Sequence, residues 1–275
     1  MSDDEGREPV RSRAVFDELG NRLPDFVIEK EQGRRVQFTE SGQVIEEEPE
    51  EEEPQHEFAL PCNLQPSRGE PEGALILFHG RGTDEHDLFQ LLEILDPSRR
   101  LLGITPRAPI EDQDGRCQWF LSHEVGHPDA ETFFSTKTRI ENWLGLIAED
   151  TGIPANRFIF GGFSQGAVMA YAMALGAGVP RSPALIALSG FIPEVEGFEL
   201  DLSNRQGFPV AIAHGVNDTV IPPKWSRDAR RILEEAGCDV IYRESRMPHA
   251  VDPRFLYELP DMIYGALERV PAVKS

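Results

Sequence analysis

Six short apolar runs, scarcely interrupted by polar side chains, restrict the folds that this chain can adopt. The runs span 74–78, 101–104, 157–160, 184–188, 210–213 and 240–242. A strand with one solvated face alternates apolar and polar residues, and these runs do not alternate. We therefore expect strands that are buried on both faces, as in a parallel sheet covered by helices.

Helix-length segments lie between and after these runs. They span about 129–150, 165–177, 224–236 and 253–268. In the first of them Phe133, Ile140, Trp143, Leu144 and Ile147 recur near the helical period. Strands that alternate with helices predict an α/β fold, with a mostly parallel central sheet and helices on both faces. Ligands bind at the carboxyl ends of the strands in such sheets, so the loops that follow the runs are the place to look for chemistry.

The composition changes near residue 57, which divides the chain into an N-terminal extension (1–57) and a larger domain (58–275) that we expect to be the catalytic domain. The extension contains the acidic block 46–54, which we expect to be a solvated linker. Before it come β-prone runs at 26–28, 36–38 and 44–45, separated by Gly-containing turns. Two or three short strands are only marginally stable alone, so both a flexible extension and a small β element stay open.

Charge and hydropathy exclude several classes of partner. The net charge of −21 argues against nucleic acid and against anionic lipid, which both attract basic surfaces. No apolar run reaches the roughly 18 residues of a membrane-spanning helix. The N-terminus is acidic, unlike a signal peptide, and the three scattered cysteines suit a reducing cytoplasm. We expect a cytoplasmic protein with a small-molecule partner, and a homodimer stays open.

One glycine-flanked serine stands where the third strand meets the following helix. The segment Gly162-Phe163-Ser164-Gln165-Gly166 matches G-x-S-x-G in that context. The motif makes a sharp turn that lifts the serine hydroxyl clear of the sheet, and the glycines avoid clashes where strand and helix come closest. Ser164 is therefore the predicted nucleophile.

A serine hydroxyl needs a base to take its proton, and the base needs an orienting carboxylate. Asp218 follows the fifth apolar run and His249 follows the sixth, which gives the chain order Ser, Asp, His. Asp228 and Asp239 are weaker candidates, because one is predicted inside a helix and the other at a strand start. His214 precedes the Asp218 loop, so we expect it to be structural.

The first apolar run leads into His79-Gly80-Arg81-Gly82, a turn whose backbone can approach an acyl oxygen. We predict that the Arg81 N–H and the Gln165 N–H form an oxyanion hole. Leu88 and Phe89 follow in the same loop, while Trp119, Phe120 and Phe191 follow other strand ends. These five side chains are the predicted apolar substrate-binding groove, although each is equally suited to ordinary packing under a loop.

The chain resembles the phospholipase/carboxylesterase family of α/β-hydrolases from Phe58 to about Val270. The matching segments are 77–82, 106–109, 119–120, 162–167, 188–190, 214–218 and Pro222. This resemblance implies an α/β-hydrolase fold and hydrolysis of short or medium acyl esters, lysophospholipids or acyl thioesters, without metal or cofactor. Met247-Pro248 departs from the small, Gly-containing sequence usual before the family's histidine.

Two interpretations from other classes compete with the serine esterase. His123-Glu124-Val125-Gly126-His127 matches the zinc-protease pattern H-E-x-x-H, which requires both histidines on one helix face. Pro128 and Gly126 oppose that helix, so we predict a surface loop at the rim of the active site. The other alternative is a binding module without catalytic activity, tethered by the acidic extension.

Overall fold

The computed structural model describes residues 36–38, 44–46 and 59–270, with the backbone alone at 36–38, 44–46 and His123. The chain divides into two compact units, Met1–His56 and Glu57–Ser275. In the first unit, strands β1 (Val36–Phe38) and β2 (Val44–Glu46) pair antiparallel. The predicted run at 26–28 and the acidic block beyond Glu46 lie outside the described residues.

The second unit is built on a seven-stranded sheet in the order β13-β12-β11-β10-β4-β5-β3. The strands of this unit are β3 (Cys62–Gln65), β4 (Ala74–Phe78), β5 (Leu102–Pro106), β6 (Ile110–Glu111), β7 (Cys117–Gln118), β8 (Ser122–Glu124), β9 (His127–Pro128), β10 (Phe158–Phe163), β11 (Leu185–Leu188), β12 (Pro209–Gly215) and β13 (Asp239–Ser245). All six predicted runs are strands of this sheet and pair in parallel, whereas β3 pairs antiparallel with β5 at the edge. The prediction of a mostly parallel sheet is confirmed.

Helices cover both faces of the sheet. They are α1 (Leu91–Leu95), α2 (Ala130–Thr151), α3 (Gln165–Leu175), α4 (Lys224–Glu235), α5 (Pro253–Leu256) and α6 (Pro260–Glu268). Successive side chains of β4 enter different cores: Ile76 and Phe78 pack in the cluster that contains α3, and Leu75 and Leu77 pack in the cluster that contains α6. Burial on both faces explains why the runs do not alternate.

Three details differ from the sequence-based expectation. The predicted helix over 253–268 is two helices, since Pro260 starts α6 and a proline lacks the N–H that would continue α5. Strand β3 was not predicted, because this short edge strand mixes polar and apolar residues. Helix α1 has only five residues, too few to show a period.

The carboxyl ends of β4, β10, β12 and β13 meet at one edge of the sheet, because these strands are parallel and adjacent or nearly so. The loops after these four strands carry Arg81, Ser164, Asp218 and His249, respectively. Within residues 59–270, the helices are too short or too polar to span a membrane.

Candidate active site

Ser164 stands on a strained turn between β10 and α3. Its backbone has φ 56° and ψ −121°, in a region that side chains other than glycine rarely adopt. The turn closes because its flanking residues lack side chains. A Cβ at Gly166 would lie 1.9 Å from the Phe78 carbonyl oxygen, and a Cβ at Gly162 would lie 2.4 Å from the Gly166 backbone. The glycines thus permit the close approach that raises the hydroxyl above the sheet edge.

Ser164, His249 and Asp218 form a continuous hydrogen-bonded chain. His249 Nε2 lies 2.8 Å from Ser164 Oγ, and His249 Nδ1 lies 2.6 Å from Asp218 Oδ2. When Nδ1 donates to the carboxylate, Nε2 is left to accept the serine proton. The weaker candidates do not join this chain: Asp228 lies within α4, and Asp239 lies at the start of β13, the end remote from His249.

The Asp218 carboxylate is fully buried and has a donor for each oxygen. Its Oδ1 accepts hydrogen bonds from the N–H groups of Val220 and Ile221, both at 2.8 Å. On the other oxygen, His214 Nε2 lies 3.2 Å from Oδ2. The hydrogen bonds from Val220, Ile221 and His249 fix the carboxylate plane and compensate for its removal from water.

His214 supports this carboxylate from inside the core, as expected for a structural residue. Its Nε2 is 2.8 Å from the Ile221 carbonyl oxygen, and its Nδ1 contacts Ser226 Oγ. Because Nε2 faces a carbonyl oxygen, it carries the proton, and Nδ1 accepts from Ser226. Burial lowers the pKa of His214, which keeps the ring neutral in this arrangement.

The Arg81 turn is held by buried polar contacts around His79. The Ala108 N–H donates to His79 Nε2 at 3.0 Å, so Nδ1 carries the proton and donates to the Gly80 carbonyl at 2.7 Å. Burial lowers the pKa of His79, consistent with a neutral ring. The Trp119 indole N–H donates to the His79 carbonyl at 2.8 Å. Hydrogen bonds from Ala108 and Trp119 therefore hold the turn that carries the predicted oxyanion donor, Arg81, in place.

Gln165 has a second function that the sequence did not indicate. Its side-chain Oε1 accepts from the Trp119 N–H at 2.9 Å, and its Nε2 donates to the Phe120 carbonyl at 2.7 Å. The side chain thus fixes the 119–120 loop, while the backbone N–H lies in the first turn of α3, where N–H groups have no intrahelical acceptor. Both predicted oxyanion donors, on Arg81 and Gln165, belong to residues that face the same cavity.

A cavity of about 210 Å³ opens beside Ser164. Its lining consists of Arg81, Phe120, Ser122, Val125, Gly126, Ser164, Gln165, Phe191, Val220, Ile221 and His249. Of the five side chains predicted for an apolar groove, only Phe120 and Phe191 line this cavity.

The other three predicted groove residues are assigned to the core instead. Leu88 and Phe89 pack with the buried cluster around α1 and α6, because the loop after Gly82 turns back over that face. Trp119 is wholly buried, since its ring packs edge-on against Phe78 and its N–H is held by His79. The sequence pattern correctly predicted that these residues follow strand ends. It did not distinguish side chains that line a groove from side chains that pack under a loop.

The H-E-x-x-H segment forms a β-hairpin at the cavity rim, as the surface-loop interpretation predicted. Strands β8 and β9 pair around a tight turn in which Gly126 has φ +91°. A Cβ at Gly126 would lie 2.5 Å from the Trp225 ring, so the hairpin seats directly on α4. Since the segment is not helical, the spacing of four does not place its histidines on one helix face.

One group of potential metal ligands lies close together among the described residues, namely Asp84, Glu85 and His86. Glu85 is already paired with Arg107 at 2.9 Å, and none of the three lines the cavity. The hydrogen-bonded chain from Ser164 through His249 to Asp218 does not involve these three residues.

Five residues of the cavity wall were not predicted from the sequence, namely Ser122, Val125, Gly126, Val220 and Ile221. Val220 and Ile221 lie two and three residues after Asp218. The other three belong to the hairpin 122–128, which was predicted as a surface loop at the rim of the active site but not as a wall of the cavity. Their proximity to predicted catalytic loops was a usable signal, but their inward orientation depends on long-range contacts such as Gly126 against Trp225.

Comparison with known proteins agrees with this architecture. Residues 62–266 match the phospholipase/carboxylesterase family. A putative hydrolase, MhqD, from Bacillus subtilis is 26% identical over 176 residues, covering 62% of this chain and 82% of the relative. Acyl-protein thioesterase 1 from Yarrowia lipolytica is 29% identical over 185 residues, covering 59% of this chain and 78% of the relative.

A solved structure supports the fold. The carboxylesterase from Bacillus cereus superimposes with a TM-score of 0.66 at 22% identity, covering 75% of this chain and 94% of the other. The family match spans most of the chain, and the parallel sheet, the strained serine turn and the topology agree with it. The chain belongs to the phospholipase/carboxylesterase family of α/β-hydrolases and is a hydrolase.

Proposed function

We propose that this protein hydrolyses carboxylic esters of short to medium acyl chains, with Ser164 as nucleophile, His249 as general base and Asp218 as its orienting acid. The observation that carries the proposal is the unbroken chain from Ser164 Oγ through the His249 ring to the buried Asp218 carboxylate. A buried carboxylate stabilises the imidazolium that forms when His249 takes a proton.

The proposed reaction proceeds through an acyl-enzyme. Ser164 Oγ attacks the carbonyl carbon while its proton passes to His249 Nε2, and the carbonyl oxygen becomes an oxyanion facing the N–H groups of Arg81 and Gln165. The tetrahedral intermediate then expels the alcohol, which takes the proton from His249. Water, deprotonated by the same nitrogen, attacks the acyl carbon and releases the acid, and Ser164 regains its proton.

The cavity supports a short or medium acyl chain. Phe120, Phe191, Val220 and Ile221 supply apolar walls, and each buried methylene contributes about 0.8 kcal/mol until the space is filled. A volume of about 210 Å³ leaves little room for a long chain beside the ester group.

Activity on an acyl thioester or a lysophospholipid remains the second candidate, because relatives named acyl-protein thioesterase share the family and a thioester carbonyl suits the same nucleophile. We propose a cytoplasmic location, with which the three free cysteines accord.

Substitution of the nucleophile tests the assignment directly. Ser164→Ala should lower kcat for p-nitrophenyl butyrate by about 10⁶ and should abolish labelling by a fluorophosphonate probe. Asp218→Asn should lower kcat by about 10⁴, since it disturbs the orientation and charge of His249 rather than substrate affinity. Ser122→Ala removes the other serine hydroxyl of the cavity lining and should still be labelled at Ser164. Labelling of Ser164→Ala, or full activity in Asp218→Asn, would refute the triad.

Acyl-chain length tests the size of the groove. The kcat/KM of p-nitrophenyl esters should rise from acetate to about hexanoate, because each added methylene is buried, and fall beyond that length when the cavity is full. The measurement is a series from acetate to palmitate below the micellar concentration. A maximum at palmitate, or a sharp increase in rate on emulsions, would point to a lipase instead.

A further inference from the structure

Among the described residues that line the active-site cavity, Arg81 is the only lysine, arginine, aspartate or glutamate. Its side chain is exposed and has neither an ion pair nor a hydrogen bond within the part of the chain that the structure describes. We infer that the Arg81 guanidinium binds a carboxylate on the substrate, so that the preferred substrates are short esters carrying a second, free carboxylate. The inference rests on the proposed ester hydrolysis and specifies its substrate class.

The absence of a partner for Arg81 is not explained by a lack of nearby acids. The same loop carries Asp84, Glu85 and Asp87, and each of them is engaged elsewhere. Glu85 pairs with Arg107 at 2.9 Å, Asp84 contacts His86 at 3.2 Å, and Asp87 accepts a hydrogen bond from Thr83 Oγ1 at 3.2 Å. Each of these acids thus contacts a group other than Arg81, and the arginine is left facing the cavity.

This local charge is opposite to that of the whole protein. With a net charge of −21, a cation at the surface would be expected to lie among acidic side chains. The part of the cavity lining that the structure describes instead contains no aspartate or glutamate. The Asp218 carboxylate, which lies next to His249, is fully buried and faces the N–H groups of Val220 and Ile221. An anionic substrate would therefore meet one cation and no exposed carboxylate in the cavity.

The chemistry of the guanidinium and the position of its backbone define the ligand. Arginine presents a planar fork of donors that matches a carboxylate through two parallel hydrogen bonds. Its own N–H is the proposed oxyanion donor, so the guanidinium is tethered within one side-chain length of the reacting carbonyl. The substrate carboxylate should accordingly lie only a few bonds from the scissile ester, on either the acyl or the alcohol side.

Matched ester pairs that differ in one charge test the inference. For the acyl side, monomethyl glutarate is compared with methyl valerate, and for the alcohol side, O-acetyl-lactate is compared with its methyl ester. The readout is the ratio of kcat/KM for the anionic and neutral members, measured by product analysis at constant low ionic strength. A ratio removes any general effect of a substitution on the Arg81 backbone donor, because such an effect lowers both rates.

The wild-type ratio should be about ten in at least one pair, the size expected for a charge-assisted, two-point contact. Arg81→Met should bring that ratio to about one, whereas Arg81→Lys should retain part of it. Arg246→Met is the matched control, since Arg246 is also exposed and unpaired among the described residues but does not line the cavity. It should leave the ratio unchanged. Raising the salt concentration should lower the wild-type ratio, an arm that requires no variant to fold.

A wild-type ratio at or below one in both pairs overturns the inference, as does a ratio that survives Arg81→Met. In either case Ser164-dependent hydrolysis of the neutral esters would leave the proposed function standing. If neither member of any pair is hydrolysed, the proposed function itself fails.

Discussion

The proposed nucleophile, Ser164, and its proposed base, His249, are positioned in opposite ways. Ser164 is fixed by backbone packing: α3 is buried along its whole length, and glycines on both sides allow contacts that no other residue fits. His249 lies instead on the loop 246–252 at the surface, where Arg246 and Pro248 are exposed and the histidine side chain itself is 16% exposed. The first arrangement depends on sterics in the core, and the second depends on a few hydrogen bonds.

Side-chain and backbone hydrogen bonds hold the His249 loop at both ends. Ser245 Oγ, at the end of β13, donates to Asp252 Oδ2, at the start of α5. Hydrogen bonds from the Arg254 side chain and from Ser245 lower the pKa of Asp252 to about 2, so it is a carboxylate and Ser245 is the donor. The Asn217 N–H also donates to the Met247 carbonyl at 3.1 Å, which joins the loop to the Asp218 loop. Substitutions at the Ser164 turn 162–166, here called the elbow, should therefore disrupt folding. Substitutions of the Ser245–Asp252 pair, here called the clamp, should disturb only the position of His249.

The largest effect is expected at the elbow, for Gly166→Ala. A Cβ there would lie 1.9 Å from the Phe78 carbonyl oxygen, and backbone atoms on both sides cannot yield without separating α3 from β4. We expect little soluble protein and no ester hydrolysis. Gly145→Ala is the matched control, because that α2 position has nothing within 4 Å, and alanine should raise helix stability by about 0.5–1 kcal/mol.

Thermal unfolding, soluble yield and kcat/KM together check this prediction. A folded Gly166→Ala protein with normal activity would show that steric contact does not position Ser164, the proposed nucleophile. The difference drawn between the Ser164 turn and the His249 loop would then be wrong.

A smaller effect is expected at the clamp, for Ser245→Ala. The substitution removes the donor that ties β13 to the start of α5, so His249 should spend less time within reach of Ser164. We expect kcat to fall about tenfold with KM within twofold, a pattern typical of lost transition-state geometry rather than lost binding. The melting temperature should change by only a few degrees.

Ser203→Ala is the control for this prediction. The Ser203 hydroxyl likewise donates to an aspartate, Asp201, but this pair lies at an exposed site, and Ser203 does not line the cavity. Equal kcat in the two variants, or a rise in KM alone for Ser245→Ala, would show that the clamp does not position the base.

The two regions also differ in how far the sequence predicts them. The elbow was predictable because its determinants are local: an apolar run, two glycines at fixed spacing and a helix. The placement of Asp218 and His249 after successive strands followed from chain order. The clamp was not predictable, since Ser245 and Asp252 are ordinary polar residues until the loop between them is closed.

The cavity walls show the same limit. Phe120 and Phe191 face the cavity, whereas Leu88, Phe89 and Trp119 pack in the core, although all five follow strand ends. Apolar composition alone does not distinguish the two outcomes, because the path of the loop decides them. The hairpin 122–128 became a wall only through the contact of Gly126 with Trp225, about a hundred residues away in sequence.

The smallest effect is expected for Pro248→Ala, which tests whether the His249 loop depends on backbone stiffness as well as on its clamp. Proline fixes its own φ and restricts the residue before it, so Pro248 narrows the conformations open to Met247 and to itself, directly before His249. Alanine should lower the free energy of unfolding by about 0.5–1 kcal/mol, visible as a lower denaturation midpoint at an unchanged m value. We expect kcat to fall no more than about threefold, with KM unchanged, because the Asp218 and Ser245 contacts remain.

Pro154→Ala is the control, since Pro154 is also an exposed loop proline but lies before β10, at the end of the sheet remote from Ser164. It should lower stability by a similar amount and leave kcat unaltered. If both variants lose stability and neither loses kcat, hydrogen bonds alone position His249, the proposed base. If kcat falls as far in Pro248→Ala as in Ser245→Ala, the stiffness of the loop matters as much as the Ser245–Asp252 hydrogen bond.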